Sequence, residues 1–179
     1  MIPRLTRVTL WALGSLLASA GSTAGAAPET AATACQEAEL APYTGPGTAN
    51  LEGTVVSPKP AKGAAAGSRS HIEIFPAAPC VERWWSQPGS HILKRGIPQT
   101  NYPEDKRFAA AVRSVYTDEA GNFALYGVPA GRYFLRMPWL EERPVGYGVE
   151  VRGSYVLETL FLEPGKTLRL TLRGPNANQ

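Results

Sequence analysis

Residues 167–173 read Thr-Leu-Arg-Leu-Thr-Leu-Arg, an alternation with a period of two. In an extended chain successive side chains leave opposite faces, so Leu168, Leu170 and Leu172 face one way and Arg169, Thr171 and Arg173 the other. A helix would scatter the same residues around its circumference. Shorter stretches repeat the pattern. His71 to Phe75 puts Ile72 and Ile74 on one face and Glu73 on the other; Asn122 to Tyr126 aligns Phe123 with Leu125, and Arg132 to Met137 aligns Tyr133 with Leu135. Leu51 to Ser57, Ala110 to Thr117, Val149 to Val151 and Tyr155 to Leu162 complete the predicted strands. Between them lie Asp118-Glu119-Ala120-Gly121, read as the reversal of a hairpin, then Gly127 to Gly131 and Glu163-Pro164-Gly165-Lys166. Asp starts turns, Pro fixes φ and Gly tolerates positive φ. Short strands cut by such corners predict an all-β chain, a sandwich or small barrel rather than a helical bundle.

Three segments break the rhythm. Residues 77–107 carry Pro79, Pro88, Gly89, Gly96, Pro98 and Pro103, which exclude long strands, yet also Trp84, Trp85, Ile92, Ile97 and Tyr102. They are expected to form an irregular but ordered insertion, since a loop this long inside a domain is usually functional or structured. Residues 27–49 form an irregular arm in which Thr30 to Leu40 has the composition for a helical turn or two. Lys59 to Ser70 is a Gly/Ala/Ser loop with little to bury.

The first residues are expected to be a removed signal peptide, 1–26. Arg4 and Arg7 precede the uncharged apolar stretch from Val8 to Ala20, and Ala24-Gly25-Ala26 offers a cleavage site. The stretch is short for a bilayer span, and no transmembrane segment is expected after cleavage. A retained anchor and a lipid on Cys35 are the competing readings; Ala32-Thr33-Ala34 matches a lipobox poorly. The organisation expected is therefore the leader, the arm (27–49), one sandwich (50–174) and a disordered tail (175–179), in the periplasm or the medium. The whole chain carries a formal +3, and without Arg4 and Arg7 the mature part has 16 basic against 15 acidic residues. No basic stripe dominates, so nucleic acid is not an expected partner.

Cys35 and Cys80 both survive cleavage. Two cysteines in an oxidising compartment usually pair, and a bridge is expected between them. A metal site is the competing reading, disfavoured because no histidine lies at ligand spacing from either.

The stretch Thr117 to Met137, TDEAGNFALYGVPAGRYFLRM, resembles the core motif of carboxypeptidase regulatory-like domains: a T-D-x-x-G-x-F hairpin, a V-P-x-G turn, then Y-x-L. Gly53-Thr54-Val55 resembles the family's opening strand and His71 to Phe75 its second. The likeness spans about residues 50–173 and is specific across 117–137. It implies an Ig-like or transthyretin-like sandwich, similar also to starch-binding folds, acting as an accessory module without an active site. The 77–107 insertion departs from the family pattern.

Candidate chemistry is sparse, and neither catalytic residues nor a cofactor is expected. His71 and His91 share no ligand spacing; two histidines with tyrosines on a related sandwich would be needed to imitate an iron site. No G-x-S-x-G elbow or phosphate-cradling loop occurs, and Asp118 with Glu119 is explained by a solvated turn. The candidate ligand surface is Trp84, Trp85, Tyr102, Trp139 and Tyr147, with packing of the insertion on the core as the competing role. The expected function is a non-catalytic interaction module touching a glycan or an envelope protein. Two alternatives stay open: a carbohydrate-binding protein using the Trp-rich insertion, and a metal-dependent enzyme on a similar scaffold.

Overall fold

The computed structural model describes residues 34–56, 69–95, 97–99 and 101–174. The expected leader (1–26) and tail (175–179), and most of the loop expected from Lys59 to Ser70, lie outside the described residues.

The chain forms an all-β sandwich. Strands β1 (Ala49–Val56), β2 (His71–Pro76), β5 (Arg113–Tyr116), β6 (Asn122–Val128), β7 (Gly131–Val145), β8 (Gly148–Leu162) and β9 (Thr167–Arg173) divide between two sheets. One has the order β6-β1-β9, the other β5-β2-β7-β8. β1 runs antiparallel to β6 and parallel to β9, and puts Gly53 opposite both Phe123 and Leu170. The predicted alternation of β9 holds: Leu172 is buried and Leu168 and Leu170 half-buried, while Arg169, Thr171 and Arg173 are exposed. Leu51, Val55, Phe123 and Leu172 from one sheet meet Ile72, Ile74, Tyr133, Leu135, Met137, Val156, Leu160 and Leu162 from the other.

The corners differ from expectation. Asp118 to Gly121 is not the loop of a hairpin: β5 pairs with β2 and β6 with β1, so the turn carries the chain from one sheet to the other. The Asp118 carboxylate accepts from the Asn122 amide at 2.7 Å, and Gly121 sits at φ +85°. The next corner also changes sheets. Gly131 there has φ +148°, and a Cβ on it would lie 2.8 Å from the Tyr43 ring. The Tyr133 hydroxyl donates to the Pro129 carbonyl at 2.9 Å, and burial pushes its pKa up to about 12. The V-P-x-G-x-Y run is thus a locked corner. The reversal at 163–166 again changes sheets, leaving β7–β8 as the hairpin of the sandwich. That hairpin is longer than predicted. Val149 to Val151 and Tyr155 to Leu162 are one strand, because pairing with β7 continues without a break through Gly153.

The insertion is not irregular. It holds helix α2 (Pro79–Trp85), a ribbon of β3 (Leu93–Lys94) and β4 (Ile97–Pro98), and helix α3 (Lys106–Ala111). Pro79 occupies the first turn of α2, where its missing N–H costs nothing. Asp105 caps α3 by accepting from the Arg107 amide at 2.9 Å. The predicted strand from Ala110 therefore begins only at Arg113, since Phe108 and Ala111, three residues apart, bury on one helical face. In the arm, a single turn, α1 (Glu37–Leu40), precedes β1. Cys35 and Cys80 are joined, with Cα atoms 5.1 Å apart. The Cys35 amide also donates to Asp105 at 3.0 Å. The arm and the insertion together build a second core of Cys35, Leu40, Phe75, Ala78, Cys80, Val81, Trp84, Phe108 and Ala111 over the outer face of the four-stranded sheet. This is why β2 is buried on both faces after its first residue.

Candidate functional site

Under the insertion lies a sealed polar cluster. Glu73 of β2 and Arg136 of β7 oppose each other across the ladder, 3% and 1% exposed. Arg136 Nε donates to Glu73 Oε2 at 2.9 Å and Nη1 to the Ser90 carbonyl at 3.1 Å. The Tyr102 hydroxyl donates to the other Glu73 oxygen. The guanidinium lies 4.9, 5.3, 5.5 and 5.6 Å from the ring centroids of Phe75, Tyr102, Trp84 and Tyr155. An arginine stacked among rings and bonded to a buried carboxylate is electrostatically complete. It fastens the insertion to the sheet.

The predicted aromatic surface is dispersed. Trp84 and Trp85 lie on α2, not on an extended segment. Trp84 is closed to solvent, and Trp85 stacks on Phe134 with centroids 4.8 Å apart. Tyr102 belongs to the Arg136 cluster. Trp139 packs against the sandwich core and covers Gly174, while Tyr147 stands free at the tip of the long hairpin. The five therefore do not share one face. The physical reason is the second core, which draws the insertion's rings inward.

The histidines are also separate in role. His71 stacks on Tyr116, centroids 4.6 Å apart, with Nδ1 3.9 Å from Glu73. His91 is edged against Trp85 at 4.4 Å. Its ring nitrogens are buried without a well-formed hydrogen bond, a backbone group of Trp85 being their polar neighbour. Burial, and then the Arg136 charge, hold its pKa below the usual histidine value. Among the described residues, the one group of three metal-type side chains that converges is Cys35, Glu39 and Cys80, whose sulfurs are committed to the disulfide.

An open site lies elsewhere, on the outer face of β6-β1-β9. A groove of about 670 Å³ is lined by Glu52, Thr54, Asp118, Asn122, Tyr126 and Arg169, among others. Register explains it. Ala124, Glu52 and Arg169 form one row across the three strands, and Asn122, Thr54 and Thr171 the next. The small Ala124 leaves the floor low beside Tyr126, which is 68% exposed. Arg169 Nε donates to Glu52 Oε2 at 3.0 Å, and Thr54 Oγ1 to Asn122 Oδ1 at 3.0 Å. Hydrogen bonds from Asn122, its backbone amide first, hold the Asp118 carboxyl below the usual range. The groove thus offers fixed acceptors and donors in one plane with an exposed phenol ring at its side. The sequence carried a signal for it, the outward set Arg169, Thr171 and Arg173, but not its partners on β1 and β6.

The fold is shared with a solved structure. A candidate carbohydrate-binding protein of Pseudomonas aeruginosa is similar over 78% of this chain and 97% of its own, with a TM-score of 0.60 and 20% identity. At that identity the likeness is one of fold. A minor pilin of Streptococcus agalactiae overlaps 72% of this chain and 44% of its own at 16% identity, with a TM-score of only 0.31. No family model matches the chain, and no curated protein does. The sandwich implied by the resemblance to carboxypeptidase regulatory-like domains is present, and the resemblance to that family is carried by the 117–137 motif.

Proposed function

We propose that this chain is an exported, non-catalytic binding module whose groove on the β6-β1-β9 sheet takes a glycan. One observation carries the reading: Tyr126 stands exposed beside a planar set of hydrogen-bonding side chains, Glu52, Thr54, Asp118, Asn122 and Arg169, in an open groove. Saccharides need a flat ring for their C–H faces and charge-assisted hydrogen bonds for their hydroxyls. Hydrogen bonds from Asn122 hold the Asp118 carboxyl below the usual carboxylate range, which suits an acceptor and not a general acid. The disulfide fits an oxidising compartment, and the similar sandwich in a candidate carbohydrate-binding protein supports the same class.

Titration calorimetry with soluble envelope polysaccharides tests this. Tyr126→Ala is expected to weaken binding by roughly tenfold, the value of one stacking contact, with the thermal unfolding midpoint unchanged. Binding that survives both Tyr126→Ala and Glu52→Gln would place the site outside the groove.

A further inference from the structure

β8 is an edge strand of the four-stranded sheet, and among the described residues no backbone hydrogen bond reaches its outer side. Exposed edges are normally guarded by being short or by carrying proline or lysine. β8 spans Gly148–Leu162 and carries neither. Val156, Leu160 and Leu162 enter the core, while Val149, Val151, Leu157 and Phe161 share the opposite face at 59, 39, 43 and 65% exposure. These four lie on either side of Tyr155, whose hydroxyl donates to the Ile92 and Gln99 carbonyls of the insertion, and beside the unpaired backbone of β8 they form a docking edge.

The charges on the strand choose the occupant. Glu150, Arg152 and Glu158 are its ionic residues. A second copy added antiparallel, with the two-fold axis at Tyr155, puts Arg152 opposite the partner's Glu158, and does so twice by symmetry. The same register sets Val149 against the partner's Phe161 and Val151 against the partner's Thr159, so the overhanging part of each hairpin covers the exposed base of the other. Moving the axis to Ser154 would face Glu150 with the partner's Glu158. Moving it to Val156 would leave Arg152 opposite the partner's Leu160 and Glu158 opposite the partner's Ser154. Arg152 already touches Glu150 within the chain at 3.2 Å, so in the pair it would sit between two carboxylates.

We infer that the chain forms a two-fold dimer by antiparallel pairing of β8 with β8, in the register that joins Arg152 to the partner's Glu158. Glu158 deters other strands, because an unmatched charge at an edge is costly, and the match with Arg152 makes the pairing selective for its own copy.

Sedimentation velocity on the purified, disulfide-intact chain over a concentration series reads the outcome. A reversible dimer is expected. Arg152→Glu or Glu158→Arg alone should raise its dissociation constant by roughly tenfold or more, through like charges set face to face. The double reversal Arg152→Glu with Glu158→Arg should restore it. Hydrogen exchange of the unaltered chain provides a reading independent of variants: β8 amides should slow as concentration rises. A monomer at all concentrations would overturn the inference. So would a dimer indifferent to the single reversals, a double reversal that fails to rescue, or β8 amides that exchange alike at every concentration.

Discussion

Arg136 and Glu73 face each other on neighbouring strands, Nε to Oε2 2.9 Å apart, both closed to solvent. They are a buried ion pair at the contact between the insertion and the sheet. Taking two charges out of water is expensive, and it is offset here because the Ser90 carbonyl and the Tyr102 hydroxyl complete their hydrogen bonds. Removing one partner leaves the other charge buried. Glu73→Leu is expected to destabilise the chain by about 3–5 kcal/mol in urea unfolding. The double replacement Glu73→Leu with Arg136→Met should recover most of that loss.

The disulfide closes a separation of 45 residues. Chain-entropy reasoning assigns such a bridge about 4 kcal/mol. Cys35→Ser with Cys80→Ser should lower stability by that order, and the insertion should open first, since Cys35 and Cys80 both lie in the second core. Proteolysis read by mass spectrometry should find its first new cuts within 77–107.

His91 makes stability depend on pH. Its folded pKa lies below the ordinary 6.5, so between the two values the unfolded chain binds the proton and the folded chain does not. The stabilising contribution is complete above pH 6.5 and falls as the pH drops below it. Unfolding midpoints measured from pH 7.5 to 5 should decline, and His91→Phe should flatten that part of the curve. An unchanged slope would remove His91 from the account.

Gly53 lies where the two neighbouring strands close in on β1. A Cβ there would fall 2.4 Å from the Phe123 ring and 2.9 Å from the Leu170 carbonyl oxygen. Gly53→Ala should cost about 1–3 kcal/mol by overpacking. Combining it with Phe123→Leu should return part of the loss, which a double-mutant cycle would show.

The strand faces were legible in the sequence because a period of two survives whatever lies above the sheet. Ile72 and Ile74, Tyr133 and Leu135, and the three leucines of β9 all point as their alternation requires. The turns were legible as turns but not as crossings between sheets, since Gly121 and Gly131 look the same in a hairpin and at a corner. The insertion's helices were hidden by its prolines. Pro79 reads as a breaker until it is placed in the first turn of α2, and Asp105 reads as a loop residue until it caps α3. The groove depends on register: no local pattern places Glu52 of β1 between Ala124 of β6 and Arg169 of β9.

The central claim is that a glycan sits on the β6-β1-β9 face. Amide chemical-shift mapping on addition of soluble envelope polysaccharide tests it most directly. Shifts are expected at Thr54, Asn122, Tyr126 and Arg169, with the amides of α2 and α3 unmoved. Shifts confined to the insertion around Trp85, or none at saturating polysaccharide, would contradict it.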